Sequence, residues 1–460
     1  MRRLLAPAVG ALCALLAACG GGSGNGGGVG AGACSDTREK RFVNDATREW
    51  YLFDELLPAT ATPDAFATAQ ELLDALTAEA RAQGKDRFFS FLTSRQADDT
   101  ALLEGQFIGF GFRSHIEGDR LLLTDVYEGS PADEGGLVRG AEITHLDSGT
   151  GFVPIATVLA EDPGLAEAFG PATEGTERGM RFVLPGGGLA EAVFTKRVVT
   201  IPPVPANGVA VLPLPANPTV LVGYLSLRSF IATAERPLRD AYASFRAQNV
   251  EYFIFDLRYN GGGLVSIAEL IGDLNGRDRA SDDVYLDLRF NDRKSGQNSL
   301  RRFSPQPESV APVRIAFITT GLTASASEII INSMKPWAEV AIVGEDTFGK
   351  PVGQSGFDLS GCDLRLRLVT FQFANADGEG EYYDGLATTL PFACRAGDDL
   401  TRAPGDAAES STAEALQWLG SGACSEILTL ESRLAKARVG FRVPRARVPG
   451  AAQEYLPGLF

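Results

Sequence analysis

Ser325 stands between a strand pattern and a helix pattern. Val313-Arg314-Ile315-Ala316-Phe317-Ile318 is a mostly apolar run of the kind that forms a buried strand. Thr323-Ala324-Ser325-Ala326-Ser327 is a turn of small residues, and Ile329, Ile330 and Met334 follow at helical spacing. Strand, tight turn, serine and helix present a hydroxyl at a helix N-terminus, where free N–H groups favour developing negative charge. The same residues have a plainer reading. Ser325 with Glu328 fits a capping box, and on the local pattern alone capping is the better explanation.

The histidine count narrows the chemistry. His115 and His145 are the only two, both far upstream in a separate small domain, so a Ser-His-Asp triad is a poor fit. A Ser-Lys dyad needs a lysine instead. Lys350 follows a second apolar strand, Val340-Ala341-Ile342-Val343, in a glycine-rich turn from Gly344 to Gly353. A lysine leaving a strand beside the serine can lose its water and act as a base.

Ser325-Ala326-Ser327-Glu328, Thr347-Phe348-Gly349-Lys350 and Gln354 resemble the carboxyl-terminal processing (tail-specific) protease family. So does Asp256-Leu257-Arg258-Tyr259-Asn260-Gly261-Gly262-Gly263 upstream. The resemblance covers roughly residues 37 to 400. It implies Ser325 as nucleophile, Lys350 as base 25 residues on (350 − 325), and Gln354 as the group that orients the lysine. Pro351 departs from the family, where glycine is common, and is expected to stiffen the loop holding Lys350.

The elements that must position these residues can be read in order. Arg2 and Arg3 precede an apolar stretch, Leu4 to Leu16, too short to span a membrane. Leu16-Ala17-Ala18-Cys19 resembles a bacterial lipobox with Cys19 as the lipidated residue; a plain secretory signal is the alternative. Gly20 after the cysteine resembles lipoproteins sent to the outer membrane. Residues 20–36 are then a glycine-rich tether. Residues 37–98 read as a helical module, with Phe42, Ala46, Trp50, Phe53 and Leu57 on one helix and Thr68 to Gln83 forming another. Phe88-Phe89-Ser90-Phe91-Leu92 reads as a linker.

Residues 99–192 change to short strands. Phe107 to Phe112 opens one, Arg120 to Tyr127 a second and Glu142 to Leu146 a third. With Gly129-Ser130-Pro131-Ala132 following, the segment resembles a PDZ domain. Gly109-Phe110-Gly111-Phe112 matches its carboxylate-binding loop, where glycines let backbone N–H groups converge on one anion. Ala141 stands where aspartate is usual.

Residues 193–424 read as an α/β core. Val250 to Asp256 is a near-continuous apolar strand ending in Gly261-Gly262-Gly263, and Arg236 to Gln248 and Ser411 to Leu419 are helical. Strand, glycine turn, helix occurs here and again at Ser325. Two such βαβ units bring both turns to one sheet edge, so the N–H groups of Gly262 and Ala326 are expected to form an oxyanion hole. Asp256 and Arg258 are expected to pair and hold the turn. Residues 425–460 form an Arg- and Pro-rich extension.

The fold class expected is α/β: a ClpP/crotonase-like protease core, as the resemblance implies, with an inserted PDZ-like β-rich domain and an N-terminal helical module. Cys34, Cys362, Cys394 and Cys424 allow three disulfide pairings. Cys362–Cys394 with Cys34–Cys424 is favoured, because the first two share a strand-rich segment. No metal or cofactor motif is evident. A net charge of −16 argues against nucleic acid. The expected activity is that of a lipid-anchored periplasmic serine endopeptidase acting on proteins or peptides with free C-termini, with an adaptor lipoprotein as a further partner. The alternative is a binding protein, without turnover, for a peptide or apolar ligand.

Overall fold

The computed structural model describes residues 34–161 and 164–427. The signal segment with Cys19, most of the glycine tether and nearly all of the C-terminal extension lie outside the described residues.

The core is a six-stranded sheet. In spatial order its strands are Val209–Leu214, Asn217–Ser226, Tyr252–Asp256, Arg314–Thr319, Glu339–Gly344 and Phe392–Arg395. The first pair is antiparallel and the rest are parallel. Helices Glu235–Ala247, Val265–Leu274 and Ala326–Met334 cover one face, against Phe253, Phe255, Ile315, Phe317 and Ile342. Helix Ser410–Ser421 covers the other, with Trp418 and Leu419 against Tyr224, Ile254, Ile318 and Val343. Both faces are dry, which is why these strands read as continuous apolar runs.

Tyr252–Asp256 and Arg314–Thr319 are parallel neighbours, each followed by a turn and a helix. Their turns therefore meet at one sheet edge, as expected. Arg258 anchors the first turn. Its guanidinium is 2.6 Å from Asp256, 2.7 Å from Asp398 and 3.0 Å from Glu409, and Tyr224 donates to Asp256 at 2.7 Å. Removing a cation that balances three carboxylates in a largely buried cluster leaves uncompensated charge. Arg258→Met is therefore expected to cost about 3–5 kcal/mol, read as a lower midpoint of denaturant unfolding. An unchanged midpoint would show that the cluster relaxes freely.

A second sheet packs beside the core. Strand Arg365–Ala374 pairs on its two sides with Phe91–Thr93, Val284–Phe290 and Val352–Asp358. The N-terminal helices Asp36–Trp50 and Ala69–Ala82 share a core with it: Val43, Tyr51, Leu72 and Leu76 pack with Val352, Leu366, Leu368 and Val369. The second helix starts where its cap residue predicts, with Thr68 accepting from the Glu71 N–H. The first stops short of the apolar periodicity, at Trp50. There the chain turns onto the second sheet, with Tyr51 and Phe53 buried, and Leu52 donates to the Val369 carbonyl at 2.9 Å, so tertiary pairing overrides the helical spacing of Phe53 and Leu57. The expected linker after the second helix is also corrected: its end, Phe91–Thr93, is a strand.

The inserted region is β-rich. Its antiparallel sheet runs Phe112–Glu117, Arg120–Val126, Glu142–Asp147, Glu177–Val183 and Leu189–Thr195, with Phe152–Pro154 beside the third. The expected single strand from Phe107 to Phe112 is broken. Gln106–Gly109 pairs with Arg197–Thr200 instead, and the new sheet begins at Phe112. Gly111, at φ +90°, makes the break; a Cβ there would lie 2.1 Å from that of Ser130.

The cysteine pairing differs from the one favoured. The bonds are Cys34–Cys362 and Cys394–Cys424. Cys362 lies in the tip between Val352–Asp358 and Arg365–Ala374, beside the first helix, where Arg38 reaches the Ser360 carbonyl at 2.9 Å. Cys394 belongs to the outermost strand of the core sheet and forms a β-bridge to Glu426, two residues beyond Cys424. The two cysteines that share a strand-rich stretch of sequence belong to different sheets.

Candidate active site

Ser325 has φ +56° and ψ −117°. An ordinary N-cap residue has extended backbone. A non-glycine residue held here carries strain of order 1–3 kcal/mol, sustained only by its surroundings. Those surroundings are the stitched turns. Thr323 donates to the Leu257 carbonyl at 2.8 Å, Ala324 N–H to Asn260 O at 3.1 Å, and the Ser327 hydroxyl to Asn260 O at 2.9 Å. Gly262, at φ +104°, presses on the serine; a Cβ there would lie 2.9 Å from Ser325 Cβ and 2.8 Å from Ala326 N. The capping pair is present as well, and Glu328 accepts the Ser325 N–H at 2.9 Å.

Glu328 does more than cap. Its fully buried carboxylate also accepts the N–H of Gly349 at 2.7 Å and of Lys350 at 2.8 Å. One oxygen, Oε2, thus receives the backbone N–H of both Ser325 and Lys350. Burial raises the Glu328 pKa, against the pull of the Thr347 side chain and these N–H groups.

Lys350 is 1% exposed. Its Nζ donates to Gln354 Oε1 at 3.0 Å and lies 4.8 Å from the centre of the Phe89 ring. Burial brings its pKa down to about 7, with Arg367 and Arg87 adding to the fall and Asp86 and Glu328 opposing it. The Gln354 amide is oriented by its other end, which donates to the Phe89 carbonyl. An amine whose pKa is brought down to about 7 is in part neutral at that pH, the state a general base needs.

Of the two oxyanion donors expected, Ala326 N–H opens the helix and has no helical acceptor. The Gly262 N–H is already committed, to Asn260 Oδ1 at 2.9 Å, which corrects its expected role in this conformation. Gly109, Phe110, Gly111 and Phe112 belong to the inserted region and are not part of this cluster; Phe110 and Phe112 pack instead around Phe169. His115 and His145 sit in strands of the same region. Among the described residues, no group of three or more His, Cys, Asp and Glu side chains is disposed to hold a metal ion. Sequence reading missed Asp86, Arg87, Phe89 and Arg367, which come to the lysine from other parts of the chain.

The fold and site define a mixed α/β protein with a serine at a strained strand-to-helix turn and a buried lysine whose backbone N–H shares a carboxylate oxygen with that of the serine. The sequence matches Peptidase family S41 over residues 221–389 and the Peptidase S41 N-terminal domain over 38–91. It is 29% identical over 272 residues to a carboxyl-terminal-processing protease of Synechocystis, covering 58% of this chain and 59% of that one. It is 26% identical over 278 residues to a chloroplastic carboxyl-terminal-processing peptidase 2 of Arabidopsis thaliana, covering 58% and 49%. The alignments thus span about half to three-fifths of these relatives. Among solved structures, a candidate S41 protease of Bacteroides fragilis shares the fold at a TM-score of 0.65 and 23% identity, covering 83% of this chain and 97% of that one. A photosystem II D1 C-terminal processing protease gives 0.50 and 19%, covering 86% and 100%. The chain is thus similar to the carboxyl-terminal processing proteases over its Peptidase S41 and S41 N-terminal segments, and it shares the fold of the solved S41 structures.

Proposed function

We propose that this chain is a serine endopeptidase that cuts protein or peptide substrates near their C-termini. Lys350 carries the reading: a buried amine, near neutral at pH 7, oriented by Gln354 and tied to Ser325 through Glu328. Neutral Lys350 takes the Ser325 proton as Oγ attacks the scissile carbonyl. The Ala326 N–H faces the developing oxyanion. Protonated Lys350 then gives its proton to the leaving amine, and an acyl-enzyme remains. Water, deprotonated by Lys350, releases the new C-terminus. The direct test is incubation of a protein bearing an apolar C-terminal tail with wild type and with Ser325→Ala. A covalent serine probe separates this reading from a binding protein without turnover, which would leave Ser325 unlabelled.

The inserted domain supports a PDZ-like role. Among the described residues Phe112–Glu117 is an edge strand, paired with Arg120–Val126 alone, which leaves its outer edge available for β-augmentation on this reading. A cavity of about 400 Å³ between this domain and the core is lined by Arg113, Asp125, Arg139, Arg258 and Tyr259. On this reading a free carboxylate docks at Gly109 to Phe112 and cleavage falls some way inside the tail. Charge-assisted hydrogen bonds contribute roughly 1.5–3 kcal/mol each, so amidating the substrate terminus is expected to raise KM at least tenfold. Equal rates on matched free-acid and amidated substrates would remove the role.

Anchoring through Cys19 at the outer membrane, facing the periplasm, is part of the same proposal. Two disulfides suit an oxidising compartment. Among the described residues no helix is long and apolar enough to cross a membrane. Mass spectrometry of the mature N-terminus tests the lipid, and co-purification with a second lipoprotein tests the adaptor.

A further inference from the structure

The base site is closed by residues from the opposite end of the chain. After the second helix, Asp86 is fully buried and its carboxylate accepts from Tyr51 Oη at 2.9 Å, Phe89 N–H at 2.8 Å, Ser90 N–H at 3.1 Å and Ser90 Oγ at 2.7 Å. Ser90 Oγ in turn accepts the Val369 N–H at 3.1 Å. The segment is therefore locked to both the N-terminal module and the second sheet, and Phe88 within it takes φ +64°. From this rigid base Arg87 reaches the loop that carries Lys350. It donates to the Phe348 carbonyl at 2.9 Å and also to the Gly349 carbonyl. Its guanidinium lies 4.4 Å from the centre of the Phe348 ring.

The loop is gripped from three sides. Glu328 holds the N–H groups of Gly349 and Lys350, and Arg87 holds the carbonyls of Phe348 and Gly349. Opposite, Gly349, at φ +86°, lies so close to Tyr383 and Gly385 that a Cβ would come within 2.3 Å of the Tyr383 oxygen. Phe89, two residues from Arg87, covers Nζ with its ring and fixes Gln354 with its carbonyl.

We infer that Arg87 is a positioning residue for Lys350, and that the segment Asp86–Ser90 of the N-terminal module completes the base site. The inference rests on the reading of Lys350 as base. Arg87 acts on the lysine in two ways. One terminal nitrogen, Nη2, reaches both carbonyls while the guanidinium lies over the Phe348 ring, and an ammonium has no planar face to be held there in the same way. The Arg87 charge also disfavours a second cation nearby. The other charged groups facing Lys350 are Asp86 in the same segment, Glu328 on the helix after Ser325, and Arg367 on Arg365–Ala374; Asp384 and Tyr383 face Arg87.

The two ways separate in a pH profile. Activity needs neutral Lys350, so it rises with pH through the lysine's ionisation. Arg87→Gln removes the charge and the planar guanidinium that holds the two carbonyls. Its kcat is expected to fall roughly tenfold to a hundredfold with KM little changed, because a small displacement of the base is costly. Its ascending limb is expected to move up by about half a pH unit or more, since a nearby cation is lost. Arg87→Lys keeps the charge, so its limb stays near that of wild type while kcat is only partly restored. The measurement is kcat and KM against pH for the full chain on a free-acid tailed substrate, with serine-probe labelling rates alongside. A Gln variant with an unmoved limb overturns the inference, whether or not it has lost activity or thermal stability. So does a Gln variant with a wild-type kcat. Wild type that neither cleaves nor labels would overturn the endopeptidase reading itself, and this inference with it.

Discussion

Ser325→Ala is expected to lower kcat at least about 10³-fold while leaving peptide binding and the unfolding midpoint near wild type. Alanine keeps a Cβ, so it keeps the strain of φ +56° and the contact with Gly262. Only the hydroxyl is lost. Ser325→Gly separates catalysis from strain: it is equally inactive but expected to be about 1 kcal/mol or more stabler, because glycine adopts this backbone freely. Ser327 is the internal control. Its hydroxyl is buried and donates to Asn260 O, so Ser327→Ala is expected to cost roughly 1 kcal/mol of stability and to leave the chemistry largely intact. Full activity in Ser325→Ala with loss in Ser327→Ala would reverse the assignment. The strain at Ser325 also answers the capping reading. Glu328 does accept the Ser325 N–H, but a residue serving only as a cap has no need of a left-handed backbone.

Gln354 is grouped with Lys350 through the family resemblance alone, and in the structure the lysine Nζ donates to its Oε1 at 3.0 Å. The meeting of the Asp256 and Ser325 turns was legible because parallel strands place their following turns at the same edge. What escaped reading came through pairing between distant segments. Arg87 bonds to Phe348 across 261 residues, and Gln354 to Phe89 across 265. Nothing local marks Asp86 as a hub, since its carboxylate is used up only when Tyr51 and Ser90 fold around it. The disulfides failed for the same reason. Proximity in sequence suggested Cys362–Cys394, but sheet membership separates them. The early end of the first helix also follows from a distant bond, Leu52 N–H to Val369 O. Glu328 was read for the local pattern it completes, and its two further bonds lie beyond that pattern.

Lys350 is expected to be a functional residue held at a stability cost. Its pKa falls from 10.5 in an open chain to about 7 when folded. Between those values the unfolded chain binds the extra proton, so folding gains stability as pH rises across the window from about 7 to 10.5 and loses it as pH falls. Below about pH 7 the penalty is at its greatest, on the order of 4–5 kcal/mol before other contacts are counted. Lys350→Met removes the ionisation and keeps an apolar stem of similar length. It is therefore expected to be inactive and yet more stable than wild type by roughly 2–4 kcal/mol at pH 6, after allowing for the lost bond to Gln354. The gain should vanish towards pH 10, where wild type no longer carries the penalty. Lys350→Arg moves the other way on stability. Its guanidinium stays charged throughout the accessible range, so the variant is expected to be inactive at every pH and less stable than Lys350→Met. The measurements are denaturant midpoints of the three proteins at pH 6, 8 and 10, with cleavage rates at each. An arginine variant with near wild-type turnover would end the dyad assignment. A stability difference between wild type and Lys350→Met that does not change with pH would mean that the buried amine is not the group that titrates.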